Sequence, residues 1–354
     1  MKNIGIVIPD INFIGGAESV AINLAMNLDS HNYKVKLISL FSHASNKTYP
    51  VEVLNLGLQK GSRVKYFINR FFLMSKLLAR VDDLDYVIGN NFFRYYAFPI
   101  AKNNAKLIEI HHFNYFDGIY PPSLRMKLAI KVRNYLYSKL HLVVTLTKPT
   151  ARLFNEAGVI NTFTIPNGLS FYPDNGSKLE SKKVVAIGRL TWQKGFQDLV
   201  SIWKIVSKYR PDWKLELYGT GPLKNELYEL IQSEGLDNTF LLMGTTNNIM
   251  KELSTASICV MTSKYEGFPM TLLEALSAGV PCISYNCDSG PSEIIINGED
   301  GVIIAPGDIN QFAEHLLEIM NNNYLRRKMG TKARENIKRY NWDEIISLWK
   351  QILV

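Results

Sequence analysis

The stretch Glu266-Gly267-Phe268-Pro269-Met270-Thr271-Leu272-Leu273-Glu274-Ala275 sets two carboxylates eight positions apart across a Gly-x-Pro turn. The turn follows an apolar run, Ile258–Met261, and leads directly into an apolar helical pattern, so the segment reads as strand, turn and helix. A helix starting near Pro269 aims backbone N–H groups at whatever lies before it. An anion such as a diphosphate is favoured at that end. Glu274, about one turn into the helix, can accept hydrogen bonds from vicinal hydroxyls. These are the parts needed to hold a sugar nucleotide. Thr271-x-x-Glu274 also fits a capping box, a purely structural use of the same spacing.

A second segment points the same way. Val184–Ile187 reads as a buried parallel strand, followed by Gly188-Arg189-Leu190-Thr191-Trp192-Gln193-Lys194-Gly195. Gly188 lets the backbone turn sharply where the strand ends. Arg189 offers a planar fork of donors for phosphate oxygens, and Lys194 adds a mobile point charge before a helical pattern at 196–206. Leu215–Tyr218 is a further strand that ends in Gly219-Thr220-Gly221-Pro222. That turn is not the G-x-G-x-x-G fingerprint, so no dinucleotide is implied.

Strand-like runs alternate with helical patterns along the whole chain, which predicts parallel sheets of βαβ units. The first half offers Ile4–Ile8, Lys34–Ser39, Tyr86–Gly89, Leu107–Ile110 and Leu142–Leu146. The second offers Val184–Ile187, Lys214–Tyr218, Thr239–Met243, Ile258–Met261, Pro281–Ser284 and Gly301–Ile304. Between them Pro166–Lys183 is rich in Pro, Gly, Asn and Ser, which reads as a linker. The predicted division is a first Rossmann-like domain at 1–168, a linker at 169–182, a second Rossmann-like domain at 183–340 and a last helix at 341–354, with Ile345, Leu348, Trp349 and Ile352 on one face.

The chain's 354 residues suffice for two domains with separate cores. No apolar run is long enough to cross a bilayer, and the first apolar stretch reads as a strand, so a cytosolic protein is expected. Cys259, Cys282 and Cys287 sit among apolar neighbours and read as free thiols in a reducing compartment. No Cys/His spacing suggests a metal site.

Charge is uneven. Residues 1–165 carry 20 Lys/Arg against 10 Asp/Glu, while 166–354 carry 20 against 22. The excess concentrates in Lys60–Arg80 and Arg125–Lys139, where cations interleave with aromatic and aliphatic residues. Both segments read either as basic amphipathic helices on an anionic membrane surface or as domain helices with a solvated basic face. No nucleic-acid motif accompanies them.

The series Gly188-Arg189…Lys194-Gly195, Gly219-x-Gly221-Pro222, Glu266-Gly267-Phe268-Pro269…Glu274-Ala275 and Ser289-Gly290-Pro291-x-Glu293 resembles the retaining glycosyltransferases of family 4. It is similar above all to bacterial members that build surface polysaccharides and lipid-linked oligosaccharides. The likeness is dense in the second half. In the first it rests on Gly15-Gly16-Ala17-Glu18, His111-His112 and Ile165-Pro166-Asn167-Gly168.

The resemblance implies the GT-B architecture, two facing Rossmann-like domains with the active site in the cleft and a C-terminal helix crossing back to the first, acceptor-binding domain. It implies a hexose or N-acetylhexosamine moved from a nucleotide-sugar donor, UDP-linked by likeness of the Tyr285–Glu293 run, to a lipid-linked or polysaccharide acceptor. Arg189 and Lys194 would neutralise the diphosphate in place of a metal, so no cofactor is required beyond the donor itself. Glu274 would hold the ribose, and Glu266 the donor sugar. Gly188, Gly219, Gly221, Gly267, Phe268, Pro269, Met270, Thr271 and Leu272 would line the donor, and Gly16 would let it approach the first domain. His112, or failing it His111, would meet the donor sugar and the acceptor hydroxyl, with Glu109 orienting a neighbour. A GT-B epimerase and a non-catalytic GT-B partner are the competing readings, and the intact donor residues speak against both.

Overall fold

The computed structural model describes residues 1–12, 15–41, 48–57, 83–91, 105–116, 123–169 and 171–354. The basic stretch Lys60–Arg80 therefore lies outside the described residues. The chain divides into two compact units, Met1–Gly168 together with Trp342–Val354, and Leu169–Asn341.

In the first unit the strands are β1 (Asn3–Ile8), β2 (Lys34–Ser39), β3 (Glu52–Asn55), β4 (Tyr86–Asn90), β5 (Lys106–His111), β6 (Leu142–Thr145) and β7 (Thr162–Thr164). They pair in parallel in the order β3-β2-β1-β4-β5-β6-β7. Ile4, Ile6, Val7 and Ile8 are all buried, because a parallel sheet is covered on both faces and its strands read as unbroken apolar runs. The two edge strands, β3 and β7, are additions to the sequence reading. Glu-Val-Leu-Asn and Thr-Phe-Thr are too short and too polar to stand out.

The second unit has β8 (Lys183–Ile187), β9 (Lys214–Tyr218), β10 (Phe240–Gly244), β11 (Ile258–Met261), β12 (Cys282–Tyr285) and β13 (Gly301–Ile304). Their order is β10-β9-β8-β11-β12-β13, again parallel. Leu199 and Trp203 of the helix Phe196–Tyr209 and Phe312 and Leu316 of the helix Ile309–Asn321 share one core with Val184, Ala186, Leu215 and Leu217. The three cysteines are buried and unpaired. Among the described residues no helix is long and apolar enough to cross a membrane.

Residues 169–182, read above as a linker, belong to the second unit. Leu169 and Leu179 are buried, Ser177 N–H donates to Ala278 O (2.7 Å), and the Ser181 hydroxyl donates to Thr255 O (2.6 Å). Their polar composition satisfies backbone groups of neighbouring elements instead of solvating a free strand.

The last helix, Trp342–Ile352, is part of the first unit. Ile345, Ile346 and Trp349 are its buried residues, whereas Leu348 and Ile352 are only half-buried. The Tyr86 hydroxyl donates to Val354 O (2.6 Å), and the Trp342 indole lies so close over Gly168 that a Cβ there would approach it to 2.8 Å.

In both sheets the strand order reverses once, between β1 and β4 and between β8 and β11. In open sheets of this kind the carboxyl ends of the strands at such a reversal are the general ligand site.

Removing the Trp349 ring should lower the stability of the first unit by about 3–5 kcal/mol, the usual loss for a buried Trp→Ala change. Urea unfolding of Trp349→Ala should shift the transition of that unit and leave the second in place. Unchanged transitions would contradict this placement of the last helix.

Candidate active site

At the β8/β11 reversal, loops from neighbouring strands lock onto each other. After β8, Gly188 N–H donates to Tyr218 O (2.9 Å) and Leu190 N–H to Thr220 O (3.0 Å), joining this turn to the glycine turn after β9. Gly219 has φ +149°, and a Cβ on it would strike the Gly188 carbonyl; one on Gly221 would strike the Leu190 backbone. These two glycines are thus required by the approach of one backbone to another. Gly195, at φ +61°, begins the helix Phe196–Tyr209, and a Cβ on it would strike the Thr262 carbonyl.

The β8 loop is held against the β11 loop at several points. Lys264 N–H donates to Gln193 O (2.8 Å), Gln193 Nε2 to Tyr265 O (3.0 Å), and the Thr262 hydroxyl to Lys194 O (3.2 Å). The result is an ion pair between Lys194 Nζ and Glu266 Oε1 at 2.6 Å. Both side chains are mostly buried, and the Lys194 methylenes run across Gly188, where a Cβ would come within 3.0 Å of Cε. An ammonium has three N–H donors and a carboxylate about four acceptor positions, so the pair still offers donors to an anion and acceptors to hydroxyls. Arg189, by contrast, is exposed and enters no ion pair among the described residues.

The Glu266–Pro269 turn is braced from β12. The Ser289 hydroxyl donates to Glu266 O (3.0 Å) from a backbone at φ +58°, and Gly290, at φ +109°, leaves room for the Pro269 ring. Phe268 is buried with its ring edge-on to Tyr340, so its side chain is structural. The helix Met270–Ser277 follows, with Pro269 as N-cap and no side-chain cap. The Thr271-x-x-Glu274 capping box is therefore not formed. Leu272 is buried and its N–H donates to Pro269 O (3.0 Å), which removes it from the expected ligand contacts. Glu274 has no hydrogen-bond donor on its carboxylate among the described residues, and burial alone pushes its pKa up to about 7. A mostly buried carboxylate without a partner is unfavourable unless a ligand completes it.

In the first unit, Gly15 caps the helix Gly16–Ser30, and its N–H donates to Glu18 Oε2 (3.1 Å). A Cβ on Gly16 would meet open space. The other side of the β1/β4 reversal is a feature that the sequence reading missed. Asn90 Nδ2 donates to Ala17 O (3.1 Å), and His112 N–H donates to Asn91 Oδ1 (3.1 Å), so two adjacent asparagines tie the glycine turn to the histidine pair. No motif marks them; only their position at the end of a buried strand could have.

The two histidines separate cleanly. His111 is fully buried, with Nδ1 3.4 Å from the Tyr137 hydroxyl, Nε2 3.2 Å from Asn114 O, and its ring edge-on to Phe154. It is a core residue, and Glu109 accepts from the same Tyr137 hydroxyl (3.2 Å). His112 instead has a buried Nε2 without a partner, and burial pushes its pKa down to about 4. It is neutral at physiological pH, and free to bond a ligand. Asn90 Oδ1 is likewise buried and without a partner among the described residues.

The raised pKa of Glu274 has a stability consequence. A carboxyl whose folded pKa lies above its unfolded value is tolerated while protonated, and its penalty is complete once pH exceeds the folded pKa. Glu274→Gln should therefore stabilise the ligand-free protein by about 1–3 kcal/mol near pH 8, and by much less near pH 5. Urea titrations at the two pH values measure this, and equal effects at both would contradict it.

The Glycosyl transferases group 1 model matches residues 171–336, and the Glycosyltransferase Family 4 model matches residues 14–171. An uncharacterized glycosyltransferase of Haemophilus influenzae is 28% identical over 363 residues, covering 100% of both chains. The amylovoran biosynthesis glycosyltransferase AmsD of Erwinia amylovora is 29% identical over 365 residues, again with 100% of both covered. A mutant of S. aureus TarM, solved in complex with Fondaparinux, alpha-GlcNAc-glycerol and UDP, shares the fold with a TM-score of 0.84 at 17% identity, over 100% of each chain. Two Rossmann-like parallel sheets, each with its glycine turns at a strand-order reversal, and two family models that tile residues 14–336 lead to one conclusion: the chain belongs to the family 4 glycosyltransferases of GT-B fold.

Proposed function

We propose that the protein transfers a hexose or N-acetylhexosamine from a UDP-linked donor to a lipid-linked or cell-surface polysaccharide acceptor, with retention of configuration and without a metal. The observation that carries this reading is Glu274, whose carboxylate has no hydrogen-bond partner among the described residues and lies about one turn into the helix that follows Glu266, the ion-pair partner of Lys194. Ribose hydroxyls would supply the missing donors, and the diphosphate would meet the helix N-terminus and the two cations. UDP is favoured by the likeness of the Tyr285–Glu293 run and by the nucleotide bound to the TarM mutant.

In this mechanism the acceptor oxygen attacks the anomeric carbon on the face from which the diphosphate departs. The bond from that carbon to the phosphate oxygen breaks, and the acceptor proton passes to a leaving phosphate oxygen. Arg189 and Lys194 stabilise the charge that builds there. Glu266, already holding Lys194, uses its remaining acceptor positions for sugar hydroxyls. His112 orients the donor sugar or acceptor hydroxyl, since an imidazole with a pKa near 4 is a poor proton acceptor at neutral pH.

The helix Leu124–Tyr137 supports placement at the cytosolic membrane face. Leu124, Leu128, Val132 and Tyr135 form an exposed apolar stripe at spacings of four, four and three. Arg125, Lys127 and Lys131 flank it, exposed and outside any ion pair among the described residues, and no acidic residue occurs from 118 to 155. Beside it runs a groove of about 630 Å³, bordered by Tyr115, Phe116, Lys127, Lys131 and Tyr135. One cation of the stretch is not available: Arg133 is buried, donating to Tyr115 O (2.7 Å) and lying 4.8 Å from the Phe154 ring centroid. Apolar stripe and unpaired cations together suit an anionic lipid surface.

Incubation with a panel of UDP- and GDP-sugars, with and without a lipid-linked acceptor extract, tests the donor. Selective nucleotide release from a UDP-sugar should fall by about 100-fold in Arg189→Ala, and EDTA should leave the rate unchanged. Failure to bind any nucleotide would defeat the reading, while UDP binding without turnover by any extract would favour a non-catalytic partner. Sedimentation with anionic vesicles tests the membrane face. Lys127→Glu with Lys131→Glu should weaken binding at least about tenfold, at about 1 kcal/mol per cation. Sedimentation indifferent to these charges would exclude this helix as the contact.

A further inference from the structure

We propose that Trp192, together with Lys264 and Tyr265, forms a stacking platform for a pyranose ring of the acceptor glycan, adjoining the donor residues. This rests on the glycosyltransferase reading above. Trp203, Trp213 and Trp349 are buried and Trp342 is half-buried over Gly168, whereas Trp192 is 56% exposed. A lone exposed tryptophan on a mobile surface would need no explanation. Trp192 is instead part of a turn braced at several points.

Its carbonyl accepts from Gly195 N–H (3.2 Å), and the next residue, Gln193, is bonded through both side chain and backbone to the 264–265 segment. Lys264 Nζ lies 4.3 Å from the indole centroid, and the Tyr265 ring is 6.3 Å away and tilted by 47°. A rigid indole offers a large apolar face at little cost in side-chain freedom. The Lys264 ammonium lies over part of the indole; the C–H face of a pyranose matches the part left exposed, and the ammonium supplies donors for its hydroxyls or an anionic substituent.

Position decides which sugar it takes. Trp192 lies between Arg189 and Lys194 in the chain, and Tyr265 directly precedes Glu266. Those neighbours are assigned to the donor diphosphate and donor sugar. Trp192, Lys264 and Tyr265 are not among the residues assigned to the donor, so the ring we assign to them is one of the acceptor chain, reached from the second unit in addition to the first, acceptor-binding domain.

The acceptor being unidentified, the probes are methyl α-D-glucopyranoside, methyl α-D-galactopyranoside and methyl N-acetyl-α-D-glucosaminide, titrated into the full chain with UDP present. Ligand-observed NMR follows sugar and nucleotide together. Trp192→Ala should weaken binding of the glycoside that the wild-type chain accepts by about tenfold, and Trp192→Tyr by no more than about threefold. UDP affinity should be unchanged in both variants. Equal glycoside affinity of Trp192→Ala and wild type overturns the platform, as does a wild-type chain that binds UDP but none of the three glycosides. Loss of UDP binding in the wild type would defeat the donor reading instead, and the nucleotide signal reports it separately.

Discussion

The Lys194–Glu266 ion pair is the joint on which the second unit's site depends. It connects two loops that leave neighbouring strands on opposite sides of the order reversal, and residues 72 positions apart in the chain thereby meet. A mostly buried pair is weak evidence for stability, because desolvation offsets most of the attraction. Its value here is geometric. Gly188 gives the lysine a path, Gly195 lets the turn close on Thr262, and Ser289 and Gly290 brace the segment that presents the glutamate. Glu274 is left on the following helix with no hydrogen-bond donor among the described residues, while the exposed Arg189 stands outside any ion pair of the described residues.

The first unit repeats the principle with different chemistry. Its reversal point carries a glycine turn, two asparagines and a histidine pair, and the only unsatisfied buried atoms there among the described residues are Asn90 Oδ1 and His112 Nε2. The two histidines are adjacent in sequence but differ in place: His111 is the last residue of β5, and His112 is the first beyond it. One completes the core beneath Tyr137 and Phe154, and the other is kept neutral by burial yet unbonded.

Much of this was legible in the sequence where the signal is local. Ile4–Ile8 and Val184–Ile187 are unbroken apolar runs, and the turn from Glu266 into its helix is a contiguous pattern. Long-range pairing was not legible, because nothing near Lys194 announces Glu266. Nor was the burial of Arg133, whose charge reads as surface until three aromatic rings and the Tyr115 carbonyl are seen around it. Composition misled at 169–182, where Ser and Gly mark close contacts inside the second unit and not a free link. Gly219 and Gly221 show a related ambiguity. A glycine required by a ligand and one required by a neighbouring backbone look alike until the neighbour is in place.

The most direct test of the donor site is the proton balance of UDP binding. In the proposed assignment ribose hydroxyls donate to the ionised form of Glu274, so binding should lower a pKa pushed up to about 7 by burial and release part of a proton at neutral pH. Calorimetric titration in buffers of different ionisation enthalpy measures that release. The account predicts a net proton released by the wild-type chain and a smaller release by Glu274→Gln, whose remainder belongs to the nucleotide phosphate. Identical proton release by the two proteins would contradict the assignment of Glu274 to the ribose.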